Sequence, residues 1–369
     1  MKLLIVTQKV DINDDVLGFF HDWIAEFSKN CEKVTVICLE KGEYDLPGNV
    51  KVYSLGKEKR SKVETRRGAS VISRLQYLFR FYNLIWKNRK EYDKVFVHMI
   101  PMYANIGAPI WRILKKKIAL WYAHGHVSLA LRLAESLVDD VFTSTKEGCR
   151  ISSKKIQVVG QGIDTAKFKN RKLKVENDRF NIITIGRIAP VKDYKTLIKA
   201  IDILVNGKGC KNIRVKIIGG TLLAEHKSYS DELKSFVVKK GLENYIKFTG
   251  SVAYNKITDY IQGADLMAST SLTGSLDKVM LEAMSSGIPV VTCNKAIEES
   301  LGKYKNDLMY KTGAYMVLVD RIKWIMDLDD TKRNSLKTDL RGVVIKGHGI
   351  IRLIRKILNN TNSVYEKTK

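Results

Sequence analysis

Short β-rich runs alternate with segments of helical period from the first residue, and that alternation admits few folds. Residues 3–7, 34–39, 50–55, 95–99, 118–122, 141–144 and 156–159 read as strands, with helical patterns such as 17–28 and 72–86 between them. A second series follows at 181–185, 214–218, 246–249, 266–269 and 289–293. Parallel strands need crossover connections, and a helix is the usual one, so each series implies a parallel sheet covered by helices on both faces. The expectation is an α/β protein of two doubly wound, Rossmann-like domains, with the carboxyl strand ends facing a shared cleft. The strongly polar stretch 167–178 is the candidate linker. The domains are expected at 1–172 and 173–345, and Leu353, Ile354 and Ile357 would dock a closing helical segment, 346–369, back on the first.

Length and composition limit what such a chain does. Its 369 residues are enough for two ordinary cores, and its net charge of +25 is the unusual quantity. That charge fits a solvated Lys-rich surface and fits attraction to a polyanion or an anionic membrane equally well. The five cysteines (Cys31, Cys38, Cys149, Cys210, Cys293) are scattered and form no Cys-x-x-Cys pair. They argue for reduced thiols in a cytoplasmic protein and against a zinc site or a disulfide scaffold. The amino-terminal apolar run is too short for a signal peptide, and the most apolar window, 95–111, is broken by His98, Pro101, Asn105 and Pro109. No phosphate-loop or Gly-x-Ser-x-Gly motif occurs, which removes those ATPases and hydrolases.

Chemistry concentrates in residues 273–291, read as a loop, a helix opening near Ser275, a Gly-Ile-Pro break and a buried strand. Helix starts attract anions, because their first N–H groups lack partners and the macrodipole places positive charge there. Ser275, Leu276, Asp277 and Lys278 would form that mouth, and Glu282 would accept hydrogen bonds from the hydroxyls of the same ligand. Phosphate plus diol means a nucleotide or a nucleotide sugar. The run 185–193 supplies Arg187 and Lys192 just past a strand end, a fork and a point charge suited to a diphosphate. Gly219, followed by Gly220, would permit close backbone approach, and Gly18 would turn N–H groups toward phosphates from the first domain. His124 and His126, around Gly125 at another strand end, make a poor metal pair and a better polar contact to substrate. Asp327 and Asp329 read as a solvated face rather than a metal motif.

Between residues 57 and 90 stand eleven Lys and Arg against Glu58 and Glu64. Within that stretch Leu75, Leu78, Phe79 and Tyr82 repeat at helical spacing. This pattern suits either an ordinary core-facing helix behind a basic loop or a surface that touches anionic lipid. No nucleic-acid module is recognisable, so no nucleic-acid partner is expected.

Together these residues resemble the family 4 glycosyltransferases, retaining enzymes of the GT-B fold. Gly186, Arg187, Pro190 and Lys192 are similar to that family's diphosphate element. Residues 248–252, ending at Val252, are similar to its nucleotide-base loop. Leu281-Glu282-Ala283-Met284 with Gly287-Ile288-Pro289 is similar to the second half of its Glu-x7-Glu motif. The likeness covers roughly 180–295 and the closing helix. It implies an acceptor-binding first domain, Glu282 on the ribose, and Arg187 with Lys192 on the departing diphosphate. His124 or His126 would stand near the donor sugar. Where the family has its first glutamate this chain has Gly274, so part of the sugar contact would pass to Asp277 and the N–H groups of 276–278.

The implied function is metal-independent, retaining hexosyl transfer. The donor would be a UDP- or GDP-linked sugar and the acceptor a glycan or lipid-linked hydroxyl, in polysaccharide or glycoconjugate synthesis, with no cofactor. The implied location is cytoplasmic, with peripheral contact at the inner membrane face. Two alternatives stay open: an epimerase of the same fold, and a non-catalytic protein that binds sugar nucleotides or membrane surfaces.

Overall fold

The computed structural model describes residues 1–59, 71–169, 179–221 and 225–360. Part of the basic run (60–67) and most of the expected linker (170–178) lie outside the described residues. The chain forms two compact units, 1–162 joined by 350–369, and 163–349.

In the first unit, seven strands form one parallel sheet in the order β3-β2-β1-β4-β5-β6-β7. They are β1 (Lys2–Val10), β2 (Lys33–Lys41), β3 (Val50–Ser54), β4 (Lys94–His98), β5 (Lys117–Trp121), β6 (Asp140–Thr143) and β7 (Ile156–Val158). Strand side chains alternate between faces, and the apolar residues of β1 divide accordingly. Leu3 and Ile5 join Phe96, Ala119 and Trp121 in one core, while Leu4 and Val6 join Val95, Val97, Ile118 and Leu120 in the other. Helices α2 (Val71–Lys87), α3 (Pro101–Ile113) and α4 (Leu129–Leu137) cover the second core.

The first core is closed by α1 (Phe19–Lys29) and the carboxyl-terminal helix, here α13 (Ile350–Asn360). In α1, Phe20, Trp23, Ile24 and Phe27 repeat at the spacing of one helix face. In α13, Ile350, Leu353, Ile354, Ile357 and Leu358 do the same. Burying five such side chains contributes roughly 10 kcal/mol gross, before chain ordering is subtracted.

The second unit holds a five-stranded parallel sheet in the order β10-β9-β8-β11-β12. Its strands are β8 (Phe180–Ile185), β9 (Ile213–Ile218), β10 (Ile246–Gly250), β11 (Leu266–Ser269) and β12 (Val290–Thr292). Helices α5 (Tyr194–Asp202), α6 (His226–Lys239), α7 (Tyr254–Gln262) and α8 (Lys278–Ser285) connect them. Beyond β12 come the short α9 (Glu298–Leu301) and α10 (Lys305–Leu308), then α11 (Tyr315–Met326) and α12 (Asp330–His348). Strand order reverses between β8 and β11, and ligand sites of open α/β sheets lie at such a switch point, outside the carboxyl strand ends.

The crossings between units fall at 162/163 and 349/350, not at 172/173 and 345/346. Phe168 explains the first shift. Its side chain is buried and its carbonyl accepts from Ser285 Oγ at 2.8 Å and Arg341 at 2.9 Å, which ties residues 163–169 to the second unit. Ile163 N–H donates to His348 O at 2.7 Å, so the two crossing strands of chain leave from one place. On the other side of the crossing, Trp23 Nε1 donates to Gly162 O at 2.9 Å.

Candidate functional site

The ends of β8, β9 and β10 interlock through glycine. Gly186 N–H donates to Ile218 O, Ile188 N–H to Gly220 O and Gly219 N–H to Gly250 O, at 2.8–2.9 Å. Gly219 has φ +142, and a Cβ there would lie 2.0 Å from Gly186 O. No other residue fits that approach. Gly219 was expected to offer its backbone to a ligand, yet its N–H is already bonded; it shapes the floor of the site.

Above this floor the loops after β8 and β11 are joined. Leu272 N–H donates to Val191 O at 2.9 Å and Thr270 Oγ1 to Lys192 O at 2.6 Å. A single 3-10 turn, Pro190–Lys192, ends at Asp193 in the left-handed region (φ +43), and this aims Lys192 across the gap. Lys192 Nζ then donates to Ser271 Oγ and Asp277 Oδ1, both at 3.0 Å. The ion-paired side chains are 13% and 14% exposed, so solvent screens the pair weakly. Arg187 is exposed and has no ion pair among the described residues. Buried Tyr194 donates to Gly186 O at 2.8 Å. Its phenol is pushed well above the ordinary range by burial and then by the Asp277 carboxylate, with the Arg187 charge opposing. These residues thus share one electrostatic environment.

The helix mouth lies three residues later than expected. Helix α8 opens at Lys278 with Asp277 as its cap residue, and the Asp277 side chain makes no cap bond because it faces Lys192 and Ser269. Ser275 and Leu276 stay outside the helix. Gly274 (φ +64) turns the chain, Asn294 Nδ2 holds Ser275 O at 2.7 Å, and Leu276 is buried. Lys278 is half-buried in the first turn. Glu282, one turn further, is fully buried and accepts from Tyr254 OH at 2.9 Å. Tyr254 thus occupies one of the two carboxylate oxygens of Glu282. Tyr254 opens α7 just after half-buried Val252, which links the expected base loop to Glu282.

In the first unit, Gly18 has ordinary right-handed backbone (φ −55) and its N–H bonds to Asp14 O at 3.2 Å. Neither a special conformation nor a free donor is present there. His124 and His126 are exposed just past β5. His126 N–H donates to His124 Nδ1 at 3.1 Å, so neutral His124 carries its proton on Nε2 and offers it outward. His98, which the sequence reading used only as an interruption, ends β4 at the reversal between β1 and β4. It is stacked on Phe20 with ring centres 3.8 Å apart and lies 3.2 Å from Thr7 Oγ1. Asp329 caps α12 through Lys332 N–H and Asp327 pairs with Lys323. Among the described residues no cluster of three or more metal-binding side chains occurs.

Residues 165–341, inside the second unit, match the sequence model of the family described as glycosyl transferases group 1. That match covers just under half of the chain, and the likeness to this family is carried by the second unit. Among curated relatives, mannosylfructose-phosphate synthase of Agrobacterium fabrum is 28% identical over 110 residues, 30% of this chain and 24% of that protein. A D-inositol 3-phosphate glycosyltransferase of Corynebacterium efficiens is 24% identical over 55% of this chain and 49% of its own length. The chain therefore spans between about a quarter and a half of the length of these relatives. The crystal structure of Anabaena HepE in complex with UDP-glucose superposes over 99% of this chain and 100% of that one, with a TM-score of 0.74 at 18% identity. That likeness establishes the GT-B fold, two parallel-sheet Rossmann-like units. Sequence reasoning named Arg187, Lys192, Asp277 and Glu282 but not Tyr254, Ser271, Tyr194 and Asn294, which bond to these residues or to their loops. Ser271 and Thr273 just before Gly274 were a legible polar signal; the other contacts join residues distant in sequence.

Proposed function

We propose that the chain is a retaining, metal-independent hexosyltransferase. It takes a UDP- or GDP-linked sugar on its second unit and passes the sugar to a hydroxyl of a glycan or lipid-linked acceptor. The observation that carries this reading is Lys192, held at 3.0 Å by Ser271 and Asp277 beside the exposed Arg187, at the switch point of the second sheet. Breaking a sugar–phosphate bond leaves negative charge on the diphosphate. A cation already aimed there stabilises that charge with little reorganisation, and the second cation binds two oxygens in a fork. Asp277 keeps the Lys192 ammonium in place before the donor arrives. Ser275, Leu276 and the first turn of α8 would line the sugar phosphate, Val252 the base, and Glu282 with Tyr254 the ribose. Retention implies front-side attack assisted by the leaving phosphate, a step carried here by family likeness. HepE, the structural relative, was crystallised with UDP-glucose, which favours a uridine donor.

The acceptor side is proposed to work at an anionic membrane surface on the cytoplasmic side. Helix α2 buries Phe81 and Ile85, while Val71, Ile72, Leu75, Phe79 and Trp86 form a second apolar stripe, 51–74% exposed. Exposed Arg74 and Lys87 share this helix. An exposed apolar stripe with cations at its edges suits a headgroup boundary. Among the described residues no helix is long and apolar enough to cross a membrane.

The test is a transfer assay with NMR detection of the anomeric product, run with and without chelator, after a thermal-shift donor screen. Loss of transfer in Arg187→Ala and Lys192→Ala supports the site; equal activity in both rejects it. Isomerised donor without transfer would mean the epimerase, and donor binding without turnover the non-catalytic protein. Sedimentation with phosphatidylserine liposomes tests the membrane surface, and Phe79→Asp binding as well as the parent would reject it.

A further inference from the structure

A second concave site lies beyond β12, lined by none of Arg187, Lys192, Asp277 or Glu282. It is a cavity of about 950 Å³ between the end of β12, α10 and the start of α11. Lys295, Lys305, Lys311 and Arg321 line it against a single carboxylate, Glu298. Lys305 lies 3.5 Å from Glu298, and Arg321 Nε donates to Met309 O at 3.2 Å, which fixes its guanidinium in the wall. Lys295 and Lys311 are exposed and have no ion pair among the described residues. Ala314, the cap residue, and Val317, in the first turn of α11, both line the cavity, so the positive end of that helix's dipole faces it.

We propose that this cavity binds a phosphorylated small molecule, a sugar-sized phosphomonoester. Such a group carries about −1.5 to −2 charges at neutral pH, which matches a concave wall with three cations in excess. The volume falls within the usual range for small-molecule sites, roughly 300–1,000 Å³, and far exceeds what a bare phosphate fills. The Asn306 amide and the Thr312 hydroxyl can bond to sugar hydroxyls, and Met309 and Val317 offer an apolar seat for a ring. The inner wall is tied to the loop after β11: Tyr310 OH donates to Ser269 O at 3.1 Å and Cys293 Sγ lies 3.7 Å from Ser271 O. Ser271 also holds Lys192, so an occupant sits one hydrogen-bonded step from the proposed donor site.

Calorimetric titration of the full chain tests this, with hexose 1- and 6-phosphates, the parent hexoses, inorganic phosphate and a short-chain phosphatidic acid as titrants. A hexose phosphate is expected to bind at least tenfold tighter than inorganic phosphate, and the hexoses not at all. Lys295→Ala/Lys311→Ala, which changes only exposed side chains, should weaken it at least tenfold with an unchanged circular-dichroism melt. Lys192→Ala should leave it unchanged, so failure of the donor reading and failure of this one are distinguishable. The proposal is overturned if no hexose phosphate binds, if inorganic phosphate or the lipid binds better, if the double variant binds like the parent, or if Lys192→Ala abolishes binding.

Discussion

Substituting Gly219 by alanine puts the floor of the candidate site to a quantitative test. The new Cβ would stand 2.0 Å from Gly186 O and 2.7 Å from Gly186 C, both backbone atoms that no rotamer change can move. Backbone strain at φ +142 adds about 1–3 kcal/mol, and overpacking against a fixed oxygen adds about the same again. Together they predict a loss of roughly 3–5 kcal/mol. Gly241 supplies the control, with φ +65 and no atom within 4 Å of an added Cβ. Gly241→Ala then meets only left-handed strain, about 1–2 kcal/mol, less a few tenths to 1 kcal/mol from the stiffer unfolded chain. Hydrogen exchange read by mass spectrometry on peptides covering β8 and β9 separates the two. Opening 3 kcal/mol easier means exchange about 100-fold faster in Gly219→Ala, against less than about tenfold in Gly241→Ala. Equal protection in the two variants would show that Gly186 and Gly219 do not approach as closely as described, and the stitched floor would have to be abandoned.

Further outcomes follow from the same geometry. Lys192→Ala and Arg187→Ala should each weaken UDP binding about 10- to 100-fold, the loss of one charge-assisted contact, but only Lys192→Ala should also lower the melting temperature, because it strands a largely buried Asp277. A Lys192→Ala protein that melts like the parent would contradict the buried pair. Leu353→Ala in α13 should destabilise the first unit by about 2–5 kcal/mol, checked by limited proteolysis of the 19–29 region. Around Lys9, burial raises the Asp14 and Glu40 carboxyls, but hydrogen bonds from Lys9, with Val16 and Leu17 N–H on Asp14 and Lys57 on Glu40, hold both below their ordinary values. Their contribution is complete above the unfolded carboxylate range, about pH 4, and vanishes as pH falls through the lowered folded values. Lys9→Met should therefore be less stable than the parent at pH 7 and converge with it in acid, measured by urea titration at pH 7 and pH 3; a gap that widens in acid would refute this assignment.

All twelve strands among the described residues were legible because each is a short apolar run bounded by turn residues, and period and punctuation are local properties. The pairing of Lys192 with Asp277 in the 273–291 stretch was also legible, since strand ends on either side of a switch point must be neighbours. What escaped was set by partners distant in sequence. The start of α8 depends on Asn294 holding Ser275 O, and the first crossing between units depends on Phe168 being gripped by Ser285 and Arg341. The burial of Glu282 depends on Tyr254, 28 residues away. At Gly18 the unusual backbone that glycine permits is not used: the chain has ordinary helix geometry there. The 71–87 helix carries both readings at once, an inward stripe at Phe81 and Ile85 and an outward one at Leu75 and Phe79.

Because α13 completes the core over Trp23 and Phe27, the first unit is interrupted by the whole of the second. Synthesis on the ribosome runs from the amino terminus, so residues 163–349 can fold as a continuous block while the earlier unit still waits for its last wall. Residues 1–162 must then keep an aromatic face uncovered while 163–349 are made, and a stop codon before Leu353 would leave it so for good.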